Sequence, residues 1–536
     1  MMMKIKNRLF LIVFGMIPLC LSSCDDFLSV PTDNRTEIDT PEKVGALLGS
    51  AYGTFSYNLL AELSSDNVDD YGENNPYSER FYDQAAEWSD VTEKDNDGPD
   101  LGWQSYYQAI ASANQALVAI KAMGGGKELD CYKSEALLCR AYAHFMLANI
   151  FCMPYGKDSN EQLGLTYMVA PETTLNPEYK RESLEATYQH IKSDIDEGLK
   201  LLNDSYLSVP KYHFNRNAAY AFASRFYLYY CIDNTSEEGR EKLNQVINFA
   251  EKVLGNDPGS MLRNTAAFRD IGPADFTAYP LQYIKAEENA NIMLQTAVSY
   301  GGFYWSNRYF ACRFTHGKLL AAETFQAKAP WGESYGSWNI QPFYSTATNF
   351  DKFVIFKLPY IFEYKDPVAQ TGYAHTVYPA FTSEEVLFNW IEAKVLLGGE
   401  NNFREATNKL NVWAKAWMTN PAELTVESIN DFYNKIDYYT VEAPTIKKEI
   451  APAFTVNKGT QENMIQCILH ARRLTFIHEG FRWFDVKRYG ITVYHRTLDA
   501  TGSKVISWKM LGKDDLRRAI QLPQDVINTG YQANPR

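Results

Sequence analysis

Apolar residues return every three to four positions along most of the first half of the chain. Between 133 and 151, Leu138, Ala141, Tyr142, Phe145 and Met146 fall at i, i+3, i+4, i+7 and i+8, the spacing that lines one face of an α-helix. Between 185 and 202, Tyr188, Ile191, Ile195, Leu199 and Leu202 repeat the pattern, and two further stretches follow. One contains Ala219, Phe222, Ala223, Phe226, Tyr227 and Tyr230, the other Leu243, Val246, Ile247, Ala250 and Leu254. Small residues alternate with large ones, so neighbouring helices can approach closely. Successive amphipathic helices of this kind predict a mainly α fold: a tetratricopeptide-like scaffold of helix pairs, although no strict repeat of about 34 residues is visible. The helical pattern resumes at 383–397, 403–418 and 463–488.

Two segments break it. Residues 256–382 are rich in Gly, Pro, Ser and aromatics and carry only short strand-like runs such as Phe353-Val354-Ile355-Phe356. A structureless loop of that length is unusual inside one domain, so it is expected to form an irregular layer on the scaffold. Residues 41–536 are then one domain, with scaffold at 41–255 and 383–490 and the loop-rich layer at 256–382. Between Glu62 and Asp100 thirteen acidic residues stand against two basic ones, Arg80 and Lys94, which predicts an exposed excursion between two helices.

The N-terminus adds an address. Lys4, Lys6 and Arg8 precede an apolar run from Leu9 to Leu19, shorter than the roughly 20 residues a bilayer span requires. Leu21-Ser22-Ser23-Cys24 follows, the layout of a secretory signal peptide over residues 1–23 with small residues at its cleavage point. Cys24 is placed for lipidation, with 24–40 as a tether, and acyl chains would hold the domain to a membrane durably. A formal net charge of −13 repels nucleic acid and anionic lipid, so the membrane link rests on the lipid alone. The other cysteines beyond Cys24 (Cys131, Cys139, Cys152, Cys231, Cys312 and Cys467) show no zinc spacing and no disulfide framework.

No motif selects an enzyme, and a lipid-anchored glycosidase or esterase stands only as the alternative reading. Gly332-Glu333-Ser334-Tyr335-Gly336 has the G-x-S-x-G spacing, but Pro330 before it and Trp338 after it belong to neither the strand nor the helix a nucleophile elbow needs. Glu93-x-Asp95-x-Asp97-Gly98 resembles the start of a calcium loop, yet Pro99 follows the glycine and Gln104 stands at the twelfth position. A structural Ca²⁺ is thus disfavoured, and the scattered histidines define no other metal site.

Several stretches together resemble the SusD/RagB family of Bacteroidetes surface lipoproteins. They are Ser23-Cys24-Asp25-Asp26-Phe27-Leu28; Trp103-x-x-x-Tyr107-x-x-Ile110; Glu135 with Arg140-Ala141; Glu392-Ala393; and Ile520-x-Leu522-Pro523. The most specific is Arg472-Arg473 followed by Glu479-Gly480-x-Arg482-Trp483-x-Asp485-x-x-Arg488. Ala471, Thr475, His478 and Cys152 depart from the family pattern. The resemblance implies a lipid-anchored protein on the outer membrane surface that captures oligosaccharides, or in some relatives peptides, without catalysis. It also implies a SusC-type TonB-dependent transporter as partner, and no motif in the sequence calls for a cofactor. A buried ion-pair network is expected of Arg472, Arg473, Glu479, Arg482, Asp485 and Arg488. For ligand contact the expected residues are aromatics outside the amphipathic helices: Phe81, Tyr82 and Trp88 in the acidic segment, and Tyr304, Trp305, Trp331, Tyr335 and Trp338 in the loop-rich layer. Asn74, Asn75 and Asn339 are candidate hydroxyl partners beside them.

Overall fold

Helices whose apolar faces meet in pairs make up most of the molecule. The computed structural model describes residues 37–174, 177–333, 337–345 and 351–536. Its main helices in the first half are α1 (Pro41–Leu48), α2 (Asn58–Ser64), α3 (Arg80–Ala86), α4 (Pro99–Ala122), α5 (Asp130–Phe151), α6 (Leu184–Lys200), α7 (Arg216–Tyr230) and α8 (Glu237–Leu254). The second half adds α9 (Ser383–Leu397), α10 (Glu400–Trp417), α11 (Val426–Tyr433), α12 (Thr460–Thr475), α13 (Phe481–Tyr489) and the short α14 (Gln524–Asn528). Consecutive helices pack on one another from α4 to α6, then α7 on α8, while α9 lies against α8, α10 and α12. Thr40–Arg536 forms one compact unit.

Local chemistry sets the helix starts. Ser183, Asn215, Ser236 and Thr382 each turn a side-chain oxygen onto a backbone N–H of the first turn that follows, satisfying a donor that the helix itself leaves without a partner. Gly198 lets α5 and α6 close up: a Cβ there would sit 3.0 Å from Leu138 Cγ. In its absence Ser134 Oγ donates to Gly198 O at 2.7 Å. Buried bidentate pairs lock neighbouring helices further, Arg140 with Asp194 across α5 and α6 and Arg225 with Glu385 across α7 and α9.

The stretch 463–488 is not one helix. It breaks at 476–480, where His478 takes a left-handed φ of +66° and turns the chain between α12 and α13. The loop-rich layer also holds more order than its composition suggests. Besides two small hairpins, the strands of the two larger sheets are β1 (Asp69–Asp70), β2 (Asn291–Val298), β3 (Phe314–Thr315), β4 (Ile361–Asp366), β5 (Thr371–Thr382), β6 (Val493–Leu498) and β7 (Val505–Leu511). An antiparallel sheet in the order β2-β5-β4 runs through the layer. A second sheet, β7-β6-β1-β3, draws one strand from the acidic segment, one from the layer and two from the C-terminal region.

That second sheet overturns the expectation of an exposed acidic excursion. Glu62, Asp66, Asp69 and Asp97 are buried, and so are Phe81, Tyr82 and Trp88 on and just after α3. Glu62 and Asp97 are held inside by neutral donors, Asn67 and His478 N for the one and Ser299 and Tyr300 N for the other, whereas Asp66 and Asp69 are met by cations from distant parts of the chain. Arg482 grips Asp66 at 2.6 and 2.8 Å, and Arg496 grips Asp69 at 2.8 and 2.9 Å. Arg473 reaches Asn67 and the Asp66 carbonyl, and Glu323 receives both Arg496 and Lys448. Buried charges persist only in such company.

Candidate functional site

The arginine and carboxylate residues of the 472–488 stretch are structural supports. Arg472 bridges Glu392 and Asp485, Arg488 also reaches Glu392, and the Tyr489 hydroxyl donates to that carboxylate at 2.6 Å. Burial alone would push the Glu392 carboxyl up, but Arg488 and Arg472 hold it at about 2. Glu479 accepts from Lys357 at 2.6 Å and from the Tyr283 hydroxyl at 2.7 Å. Thr475 and His478 take part as well: Trp413 Nε1 donates to Thr475 Oγ1 at 3.0 Å, and His478 N donates to Glu62 at 2.9 Å. The network ties α9, α12 and α13 to α2 and buries every charge it contains.

The seven described aromatics expected to meet ligand are interior. Phe81, Tyr82, Trp88, Tyr304, Trp305, Trp331 and Trp338 are each at most 5% exposed, so none presents a ring face to solvent. Trp88 adopts a left-handed φ of +53°, lies stacked on His495 at 4.4 Å and donates from Nε1 to Ser64 O at 2.8 Å. Trp331 and Trp338 pack edge-on against Trp413; the proline before Trp331 does not hold it outward. Tyr82, Tyr304 and Trp305 form a chain of edge contacts, and the Tyr304 hydroxyl donates to Phe314 O. Extra Trp and Tyr are core filler here because a layer with little regular structure needs large side chains to exclude water. Tyr335, with Ser334, lies outside the described residues, as does Cys24; the chain just before Ser334 is a two-residue hairpin pairing Ala329 with Gly332. Asn75 and Asn339 are buried on structural partners, Phe310 O and Thr265, while Asn74 is exposed.

A different set of aromatics reaches the surface at the same face. Tyr300 and Tyr360 are 37% and 43% exposed, and Phe303 and Tyr77 are half-buried. The Phe303 and Tyr360 rings lie 5.3 Å apart, and the Arg308 guanidinium sits 3.7 Å over the Tyr77 ring and 5.6 Å from that of Phe303. Gly302 makes this juxtaposition possible, since a Cβ there would fall 2.3 Å from Pro359 O; only glycine lets the segment carrying Phe303 cross the one carrying Tyr360 so closely. Asp97 fixes the turn, accepting Ser299 Oγ at 2.5 Å and Tyr300 N at 2.7 Å. Burial pushes the Asp97 carboxyl up to about 7 against the pull of those two bonds. Asp97 is therefore the buried bracket under the patch, and no group of side chains suited to a metal occurs among the described residues. Asp95 and Glu79 lie near, and Tyr77 donates to Glu79 at 2.9 Å. Apolar ring faces edged by hydroxyl, guanidinium and carboxylate groups can hold a ring with one apolar face and polar substituents. Within the run Tyr300-Gly-Gly-Phe-Tyr-Trp, no period tells which ring turns outward.

The comparisons with known proteins agree with this architecture. Residues 26–228 match a family model described as SusD-like, "Starch-binding associating with outer membrane", and residues 274–525 match the SusD family model. The chain belongs to the SusD/RagB family. Among solved structures, it is similar to a SusD superfamily protein from Bacteroides thetaiotaomicron (18% identity, TM-score 0.61, covering 93% of this chain and 100% of that one). It is also similar to a SusD-like carbohydrate binding protein from Bacteroides vulgatus (15%, TM-score 0.60, covering 91% and 96%). A third is B. fragilis NanU (15%, TM-score 0.55, covering 94% and 99%). No curated protein sequence matches the chain.

Proposed function

We propose that this protein is a surface lipoprotein that captures oligosaccharides at the outer membrane and hands them, without catalysis, to a SusC-type TonB-dependent transporter. The observation that carries the reading is the partly exposed aromatic patch of Tyr77, Tyr300, Phe303 and Tyr360 in the loop-rich layer of a SusD-family fold. A pyranose offers an apolar C–H face to such rings and hydroxyls to Arg308, Asp95 and Glu79. The family description names starch binding and the outer membrane, and no helix among the described residues is long and apolar enough to cross a membrane. Acylation of Cys24 supplies the anchor, and the broad helical surface leaves room for a transporter.

Calorimetry against a panel of neutral oligosaccharides tests the site. Each aromatic stack contributes about 0.5–1.5 kcal/mol, so the triple variant Tyr300→Ala/Phe303→Ala/Tyr360→Ala should lose at least tenfold in affinity while keeping its melting temperature. Retained affinity in a folded triple variant rules this patch out. Turnover of any saccharide by the purified protein rules out the non-catalytic reading.

A further inference from the structure

Away from that patch, a cleft of about 350 Å³ opens between α4 and the C-terminal segment. Its walls are Trp103, Tyr107, Met168, Val526 and Tyr531, and it continues into an outer groove of about 770 Å³ that shares Trp103, Tyr107, Met168 and Glu172. The floor is packed ring on ring: Trp103 lies 4.8 Å from Tyr107 and 5.6 Å from Tyr531. The Tyr531 hydroxyl accepts from Thr166 N at 3.0 Å and the Tyr107 hydroxyl donates to Thr166 O at 3.2 Å, so these polar ends are engaged.

Three features select an occupant. The inner cleft is mainly apolar, and the hydroxyls in its wall are taken up within the protein, Thr166 on Lys180 O, Tyr179 on Glu172 and Thr529 on Val526 O, so an aliphatic or aromatic side chain suits it better than a sugar ring. The groove follows α4 from Trp103 to Gln115, about 18 Å at 1.5 Å per residue, a length that holds about five residues of extended chain. Gln104, Gln108 and Gln115 stand along it with side-chain amides that can both donate and accept, as an extended backbone requires. Charge supplies the third feature. Glu172 and Asp525 line the inner cleft and, among the described residues, no lysine or arginine lines either part; of the cations nearby, Lys94 pairs with Asp525 from the solvent side and Arg181 is held on Gly164 O and Asn534 beside Tyr531.

We infer that this cleft is a second binding site, for an extended polypeptide segment of a partner protein that seats an apolar side chain between Trp103 and Tyr531 and flanks it with lysine or arginine. The inference does not depend on the saccharide reading.

The test uses the chain from Asp25 to Arg536, which contains the whole compact unit, and two probes: the pentapeptide amide acetyl-Lys-Leu-Phe-Lys-Leu and its counterpart with glutamate for lysine. Calorimetry at low ionic strength should detect one site for the basic peptide and at least tenfold weaker binding for the acidic one. Val526→Arg places a cation in the half-buried wall and should abolish binding of the basic peptide. Glu172→Gln, a conservative change at the rim, should weaken it about threefold to tenfold, with unchanged melting temperature. Equal binding of both peptides, no binding of the basic one, or full binding in folded Val526→Arg and Glu172→Gln would each overturn the proposal.

Discussion

Asp66 offers the most direct test of how this fold is held together. Its carboxylate, in the segment between α2 and β1, accepts Arg482 at 2.6 and 2.8 Å and has Arg473 and Lys448 at 3.8 and 3.9 Å. Burial should push its carboxyl up, but Arg473, Arg482 and Lys448 outweigh that and hold it well below the usual range. Asp66→Asn keeps the shape and removes the charge, leaving three buried cations with Glu323 and Asp485 as the carboxylates that still act on them. Breaking a buried pair in this way costs about 3–5 kcal/mol. With an unfolding entropy of about 2.1 cal/mol/K per residue over the compact unit Thr40–Arg536, the entropy is about 1 kcal/mol/K. The melting temperature should therefore fall by about 3–5 °C at pH 7, read by scanning calorimetry. The sign of the pH effect follows from the depressed carboxyl. Its stabilisation is complete above the unfolded value near 4 and is lost as pH falls through the folded one. The gap between wild type and variant should thus persist from pH 5 to 8 and narrow below about 4. A variant that melts within 1 °C of wild type at pH 7, or a gap that widens on acidification, refutes the account.

Other expectations follow from burial. Ala replacing Trp88, Trp331 or Trp338 should each cost about 3–5 kcal/mol of stability and leave the saccharide affinity of the folded fraction unchanged; a selective affinity loss would restore these residues as ligand contacts. Because the folded Asp97 carboxyl lies near 7 rather than near 4, its contribution declines as pH rises from about 4 to 7. Asp97→Asn should flatten that part of the stability profile, and an unchanged slope in chemical denaturation would count against the assignment. Cys24→Ala should release the protein from the outer membrane, as followed by cell fractionation and surface proteolysis; retention at the surface would exclude the anchor.

The helices were the legible part of this chain. Their period of three to four comes from local geometry, so the pattern at 185–202 anticipates α6 at Leu184–Lys200 almost residue for residue, and 133–151 lies within α5. The sheet strands in the loop-rich layer were not legible. β5 runs twelve residues, exposed on both sides at Thr371–Tyr373 and buried on both from Thr376 onward, so it never alternates for long enough to declare itself. The break at His478 was likewise hidden, since it depends on Glu62, more than 400 residues earlier, receiving its N–H.

Surface and interior were harder still. Thirteen acidic residues within forty positions read as solvated until Arg473, Arg482 and Arg496, which share no local pattern with them, arrive in three dimensions to neutralise the buried Asp66 and Asp69. In the same way Phe303 and Tyr304 are neighbours of similar chemistry, yet a hydroxyl bond to Phe314 O turns one inward and the crossing at Gly302 leaves the other beside Tyr360. Periodicity is a property of adjacent residues and can be read from them. Burial of a charge or a ring is a property of what packs against it, and in this protein those partners lie from ten residues away, as for Tyr304, to more than four hundred, as for Asp66.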